Sequence, residues 1–302
     1  MPLADTTSVI SPDSRVSPVF NALSPPIIVI GMHRSGTSMV VGMLHRLGVF
    51  MDPELQDDPL TGEVPGERAR TDGYGEAVAF RLSNESVMTL ADADWQYPAA
   101  FMAKRDDPGF TKLAIEKLVK ASETTLQTDY LDRCRGGKPE KWGWKDPRTS
   151  LTLPYWLALF PEARLLHIRR DNEAIIRSLQ KRETIVQREA AEAPPSALQR
   201  IKAAAANPAV LMRALRRRVG APVIERAPMA HDTWLQLADL HLNECLAYRD
   251  HAAGYLEMSY EEITGDPVAT AKSIAEFAGI TAEPEMITRA AGFVRVDRKA
   301  IP

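Results

Sequence analysis

Cysteine is scarce. Cys134 and Cys245 are the two in 302 residues, far apart and without metal-type spacing. That excludes a disulfide framework and reads as a free-thiol, cytoplasmic protein. Histidine is thin as well: six residues, among them His33, His45 and His167, do not group as zinc ligands would. No apolar stretch approaches the roughly 18 residues of a membrane span. The N-terminus lacks a basic region followed by an apolar core, so no signal peptide is expected. Positive charge is not in surplus either. Lys and Arg number 37 against 40 Asp and Glu, a net charge of −3, and no global basic field points to nucleic acid or an anionic membrane. Chemistry must therefore rest on local motifs.

The chain has enough to build a core, with 45% hydrophobic residues. Its length suits one large α/β domain, with a helical insertion at about 185–230. Residues 1–24 are rich in Ser, Pro, Asp and Thr and read as a flexible lead-in to a domain spanning 25–302. "PIIVIG" reads as a buried parallel strand, and "TSMVVGMLHRLG" as a helix ending at Gly48. Residues 51–75 form a long irregular segment, and such loops in compact domains tend to carry function. Helices are expected at 76–91 and 111–132. "KWGWKDPRTSLTLPYW" gives a short aromatic strand, a polar turn at Asp146-Pro147 and a helix. "ARLLHIRR" is a second buried strand, followed by a helix capped by Asp171 or Asn172. Further on come a helix with Leu235, Leu237, Leu240 and Leu242 on or near one face, a strand over "GYLEMSYEEI", and a helix with Gly279 near its end. The alternation predicts a central parallel sheet with helices on both faces.

"GMHRSGTS" joins the first strand to the first helix. Gly31 and Gly36 have the spacing of the nucleotide-triphosphate loop, but Thr37 stands where its lysine belongs. Unpaired N–H groups at a helix start favour an anion. Ser35, Thr37 and Ser38 add hydroxyls, and Arg34 adds a planar cationic fork. A loop without the lysine that bridges β- and γ-phosphates fits a shorter anion chain needing no metal, such as a phosphosulfate. The alternative is a tight strand–helix turn with no ligand. A second grip is offered by Arg170 at the end of the strand and Ser178 eight positions later, about 9 Å along the helix if it starts near Asn172. The carboxyl edge of a parallel sheet is where ligands bind in such folds.

Together these motifs resemble the sulfotransferases that use 3′-phosphoadenosine 5′-phosphosulfate (PAPS). "GMHRSGTS" resembles their 5′-phosphosulfate loop, and Arg170 with Ser178 their 3′-phosphate motif. The family often has proline two after that arginine, where this chain has Asn172. "SYEEITGDPVATAKSIAEFAGI" resembles the family's late segment. The likeness covers roughly residues 26–295 and looks closest to bacterial members, more distantly to the tyrosylprotein and carbohydrate enzymes. It implies a P-loop-like three-layer fold. It also implies PAPS as donor with no metal required, and a small-molecule, glycan or lipid acceptor bearing a hydroxyl or amine. His33, Arg34, Ser35, Gly36, Thr37, Ser38, Arg170, Ser178 and Tyr260 would hold the donor. Tyr260 has a second reading, as a core tyrosine.

Sulfuryl transfer needs positioning and charge stabilisation. Arg34 and Lys145 are the candidate cations, the latter resembling a lysine of the tyrosylprotein branch. Lys145 has a plainer reading, as a salt bridge to Asp146 or a neighbour; Asp146 and Arg148 read as bracing the turn. For the base, Asp52, Glu54 and Glu76 are in reach, with His33 another candidate; Glu76, in "DGYGE" beside Tyr74, is favoured. Arg213, Arg216, Arg217 and Arg218 form a basic stripe, read as a solvated face or a guide for an anionic acceptor. The tail carries Arg295, Arg298 and Lys299 without the family's glycine-rich pattern. The rival readings are a small-molecule kinase on the same fold and a nucleotide-binding module without catalysis.

Overall fold

A computed structural model of the chain describes residues 16–57, 75–192 and 229–294. The sheet has four parallel strands: β1 (Ile27–Ile30), β2 (Gly143–Lys145), β3 (Arg164–Arg169) and β4 (Tyr255–Ser259), in the order β2-β1-β3-β4. Ile27 lies opposite both Gly143 and Arg164, so β1 is central. All carboxyl ends meet one rim. The helices are α1 (Thr37–Arg46), α2 (Val78–Thr89), α3 (Pro108–Glu123), α4 (Thr149–Leu159), α5 (Asn172–Glu192), α6 (His231–Leu246), α7 (Tyr260–Gly265), α8 (Pro267–Ala278) and α9 (Pro284–Ala291). None is long and apolar enough to cross a membrane among the described residues.

Side-chain alternation along β1 splits the core into two layers. Ile28 and Ile30 pack with Phe80, Leu118, Trp144, Leu151 and Trp156, beneath α2, α3 and α4. Ile27 and Val29 pack with Val40, Leu44, Ile274 and Ala290, beneath α1, α8 and α9. Helices thus cover both faces of the sheet, as the strand–helix alternation predicts. Helix α4 is buried from Thr149 to Trp156 and contains Pro154. The proline costs about 3 kcal/mol inside a helix. Burying Leu151, Leu153 and Trp156 yields roughly 1.5–3 kcal/mol each, so burial wins.

Several boundaries differ from expectation. The lead-in is packed from residue 16 onward: Val16 and Phe20 are buried, and the Ser17 amide donates to Ser122 Oγ at 3.0 Å. The helix expected at 111–132 ends at Glu123. Thr124 leaves helical geometry at φ −125° and ψ −99°, and a separate turn Thr125–Asp129 follows. The strand expected over "GYLEMSYEEI" stops at Ser259, whose hydroxyl accepts from the Glu262 amide and starts α7. On α6 the buried face is Trp234, Leu237, Ala238, His241 and Cys245; of the expected leucines Leu237 is buried, and Leu235, Leu240 and Leu242 are half-buried. Asp171 is the cap of α5, its Oδ1 accepting from the Ala174 amide at 2.9 Å. The part of the insertion over 193–228, with Arg213–Arg218, lies outside the described residues, as do Tyr74 and the tail from Arg295.

Candidate active site

The loop between β1 and α1 sits at the carboxyl rim. Gly31, Arg34 and Gly36 have φ of 142°, 71° and 104°. A Cβ at Gly31 would stand 2.4 Å from the Ile168 carbonyl oxygen, so glycine is required where β1 turns against β3. At Gly36 the left-handed backbone caps α1 with no side-chain acceptor, leaving its first amides for an outside anion. Ser35 is buried, and its Oγ has no hydrogen-bond partner among the described residues. Thr37 is buried, Ser38 half-buried, and Arg34 exposed.

Residues distant in sequence converge on this loop. Arg34 Nε donates to Ser178 Oγ at 2.9 Å, joining the loop to α5. Arg170, just past β3, donates from an Nη to the Arg34 carbonyl at 3.2 Å. Its guanidinium lies 3.9 Å from the ring centroid of Tyr260, at the start of α7. A Cβ at Gly36 would stand 2.9 Å from that same ring. The loops after β1, β3 and β4 therefore make one continuous surface. It is cationic: enclosure by its neighbours, then the like charges of Arg182 and Arg170, pull the Arg34 pKa below the ordinary arginine value. Crowded guanidiniums of this kind favour a multiply charged anion. Arg170 Nε is buried without a hydrogen-bond partner among the described residues, a donor still to be satisfied.

A second charged group lies after β2. Lys145 Nζ is 2.9 Å from Glu76 Oε1, both side chains almost wholly buried. Arg148 reaches Asp146 at 2.7 Å, Glu85 at 3.2 Å and Glu76 at 3.9 Å. Burial works against the charge of Arg148, but Asp146, Glu85 and Glu76 outweigh it and raise its pKa. Asn84 donates to Asp146 Oδ2 at 2.8 Å and accepts from Thr152 and Trp156, fixing the turn. Asp146 and Arg148 thus brace the turn as expected. Asp52 is buried at the same rim, just past the bridge between Phe50 and Trp142. Burial pushes its carboxyl up to about 6, while its Oδ1 accepts from the Glu54 amide at 2.9 Å. Glu54 itself is paired with Arg133 at 2.6 Å.

His33 is buried, its ring 4.0 Å from that of Trp95. Burial, then Arg148, His241, Lys145 and Arg182, hold its pKa well below the usual value, so the imidazole is neutral. The structure thus brings Arg34, Gly36, Arg170, Ser178 and Tyr260 into contact, and sets Lys145 with Glu76 as a separate pair. Sequence reasoning missed Asn84, Glu85, Trp95, Trp234 and His241. For Trp95 and Tyr97 the only signal is an aromatic pair in a turn. For the others none exists, because each partner is remote in sequence. No three His, Cys, Asp or Glu side chains gather as metal ligands among the described residues.

The comparison with curated proteins gives no match. Solved structures similar to this chain include three sulfotransferases. Sulfotransferase STF1 from Mycobacterium tuberculosis is 17% identical over 90% of this chain and 72% of that one, with TM-score 0.47. Sulfotransferase STF9 from Mycobacterium avium is 18% identical over 91% and 69%, with TM-score 0.43. The sulfotransferase domain of the Synechococcus PCC 7002 olefin synthase is 16% identical over 92% and 78%, with TM-score 0.41. The sulfotransferase family profile matches residues 25–284, and with this glycine loop on this parallel sheet the chain belongs to that family.

Proposed function

We propose that this chain binds PAPS and transfers its sulfuryl group to a hydroxyl or amine acceptor. The observation carrying this reading is the contact surface formed by Arg34, Gly36, Arg170, Ser178 and Tyr260. Its unsatisfied groups fit an anionic nucleotide: the first amides of α1, Ser35 Oγ and Arg170 Nε. His33, Arg34, Ser35, Gly36, Thr37 and Ser38 hold the 5′ end. Arg170 and Ser178 hold the 3′-phosphate, and Tyr260 packs beside the nucleoside. When bound, the donor supplies the sulfuryl group: a new bond from sulfur to the acceptor oxygen forms as the bond from sulfur to the 5′-phosphate oxygen breaks.

The chain's own residues do the rest. Glu76 takes the acceptor's proton. Until then its carboxylate neutralises Lys145 across 2.9 Å. Protonation weakens that hold and frees the ammonium charge for the leaving oxygen, so proton removal and charge stabilisation are coupled in one ion pair. Arg34 supplies a second positive charge from the loop. With Thr37 in place of the lysine, the loop has no side chain to bridge a β- and γ-phosphate, which separates this reading from a kinase. Two free thiols, Cys134 half-buried and Cys245 buried, suit a reducing cytoplasmic setting.

The test is calorimetry with adenosine 3′,5′-bisphosphate. Micromolar-range binding is expected, weakened tenfold or more in Arg170→Ala. Transfer from sulfur-labelled PAPS with chelator present completes it. Magnesium-dependent turnover of ATP with no bisphosphate binding would overturn the reading.

A further inference from the structure

The side of the loop away from Arg170 is aromatic. Trp95 packs on His33 at 4.0 Å and lies 6.1 Å from Trp234 of α6. Met32, Met229 and Tyr97 pack in the same apolar cluster. Trp234 and His33 are buried, while Trp95 and Tyr97, on the outer side of the cluster, are half-exposed. Two polar atoms within it, His33 Nε2 and Trp234 Nε1, are buried with no hydrogen-bond partner among the described residues. Such atoms are rare in folded proteins and cost roughly 1–3 kcal/mol each when left unmet. Three cations act on His33 through space, Arg148, Lys145 and Arg182, and the first two are matched by carboxylates. Lys145 is matched by Glu76, and Arg148 by Asp146, Glu85 and Glu76.

We propose that this wedge is the acceptor subsite, and that it takes an uncharged alcohol with a flat, apolar body, its hydroxyl on His33 Nε2 and its body against Trp95. This rests on the reading of the adjoining loop as the donor site. His33 precedes Arg34 directly, so a hydroxyl on its ring stands beside the 5′ end of that site. A neutral imidazole offers Nε2 as either acceptor or donor. Trp234 Nε1–H has room for one further oxygen. The number of free polar atoms sets the class. A sugar would bring several hydroxyls against a mainly aromatic wall, and each one left stranded is penalised. A sulfated or carboxylated glycan would find Lys145 and Arg148 already matched by carboxylates.

The experiment is calorimetric titration with 2-naphthol, N-acetylglucosamine and a chondroitin oligosaccharide. Each is run with and without saturating adenosine 3′,5′-bisphosphate. The naphthol is expected to bind, Trp95→Ala to weaken it at least tenfold, and Trp95→Phe to restore most of it. Trp234→Phe, which removes the Nε1 donor, should weaken it several-fold while leaving bisphosphate binding within about threefold. Melting curves of each variant confirm the fold. Naphthol binding that is indifferent to Trp95→Ala in folded protein, or binding of either saccharide in place of naphthol, overturns the proposal. Failure of the bisphosphate to bind refutes the donor reading instead, and the Trp95-dependence of naphthol binding without it still decides the subsite.

Discussion

At the scale of single residues, the pair Lys145–Glu76 is the most demanding arrangement in the molecule. Two opposite charges 2.9 Å apart are almost completely withdrawn from water. Pairs of this kind add little net stability, yet removing one partner strands the other and costs about 3–5 kcal/mol. Lys145→Met should therefore lower stability by that order and cut transfer by roughly a hundredfold or more, with bisphosphate affinity nearly unchanged. Adding Glu76→Gln should recover most of the lost stability, because no buried charge is then unmatched, but none of the transfer. Denaturant melts and labelled-PAPS turnover on both variants check this. Recovery of transfer in the double variant would reduce the pair to a structural strut. The sequence showed Lys145 and Glu76 as separate candidates. Their pairing was illegible, because 69 positions separate them and charge alone does not choose a partner.

At the scale of elements, local signals were read best where one element decides its own shape. The β-branched run of β1, the loop glycines and the strand β3 needed no distant partner. The start of α7 was also written locally, yet a strand was expected there. Ser259 and Glu262 have the S-x-x-E spacing of a capping box, and that signal outweighs the apolar alternation before it. The Ser259 amide donates to Glu262 Oε2 at 2.7 Å, and the Glu262 amide to Ser259 Oγ at 3.1 Å. Glu262→Ala removes half of this exchange, an effect of about 0.5–2 kcal/mol. Because Tyr260 is the first residue of α7, the same change should also lower bisphosphate affinity several-fold. A melt and a titration on one variant test both; a stability loss with affinity intact would show that the cap does not position Tyr260. By contrast, the break at Thr124 and the buried face of α6 depend on what packs opposite, and no local pattern declares them.

At the scale of the whole molecule, buried titratable groups set the response to acid. Burial holds His241 and His167 down to about 4, and His33 well below its usual value. Below about pH 6.5 each binds a proton in the unfolded chain that the native state resists, so each makes stability fall as pH falls. Asp52, raised by burial to about 6, acts in the opposite sense: the native state holds its proton between about pH 6 and 4 while the unfolded state does not. The three buried histidines outnumber Asp52 and the raised His231, so the net effect is a loss of stability toward acid, about 1.4 kcal/mol per pH unit for each proton by which the unfolded chain leads. Melts between pH 7 and 5 should show a steep loss, steeper still in Asp52→Asn, which removes one opposing group. A flat profile would mean that the histidines are hydrated and charge freely.

Tyr260 has a consequence that reaches across the rim. Its ring bears on Gly36 from one side and lies under the Arg170 guanidinium on the other, while Arg170 holds the Arg34 carbonyl. The two proposed phosphate grips thus share one post rather than standing on independent footings. A nucleotide that engages either end steadies the other in advance, so a compound carrying only one of the two phosphates forfeits more than half of the grip.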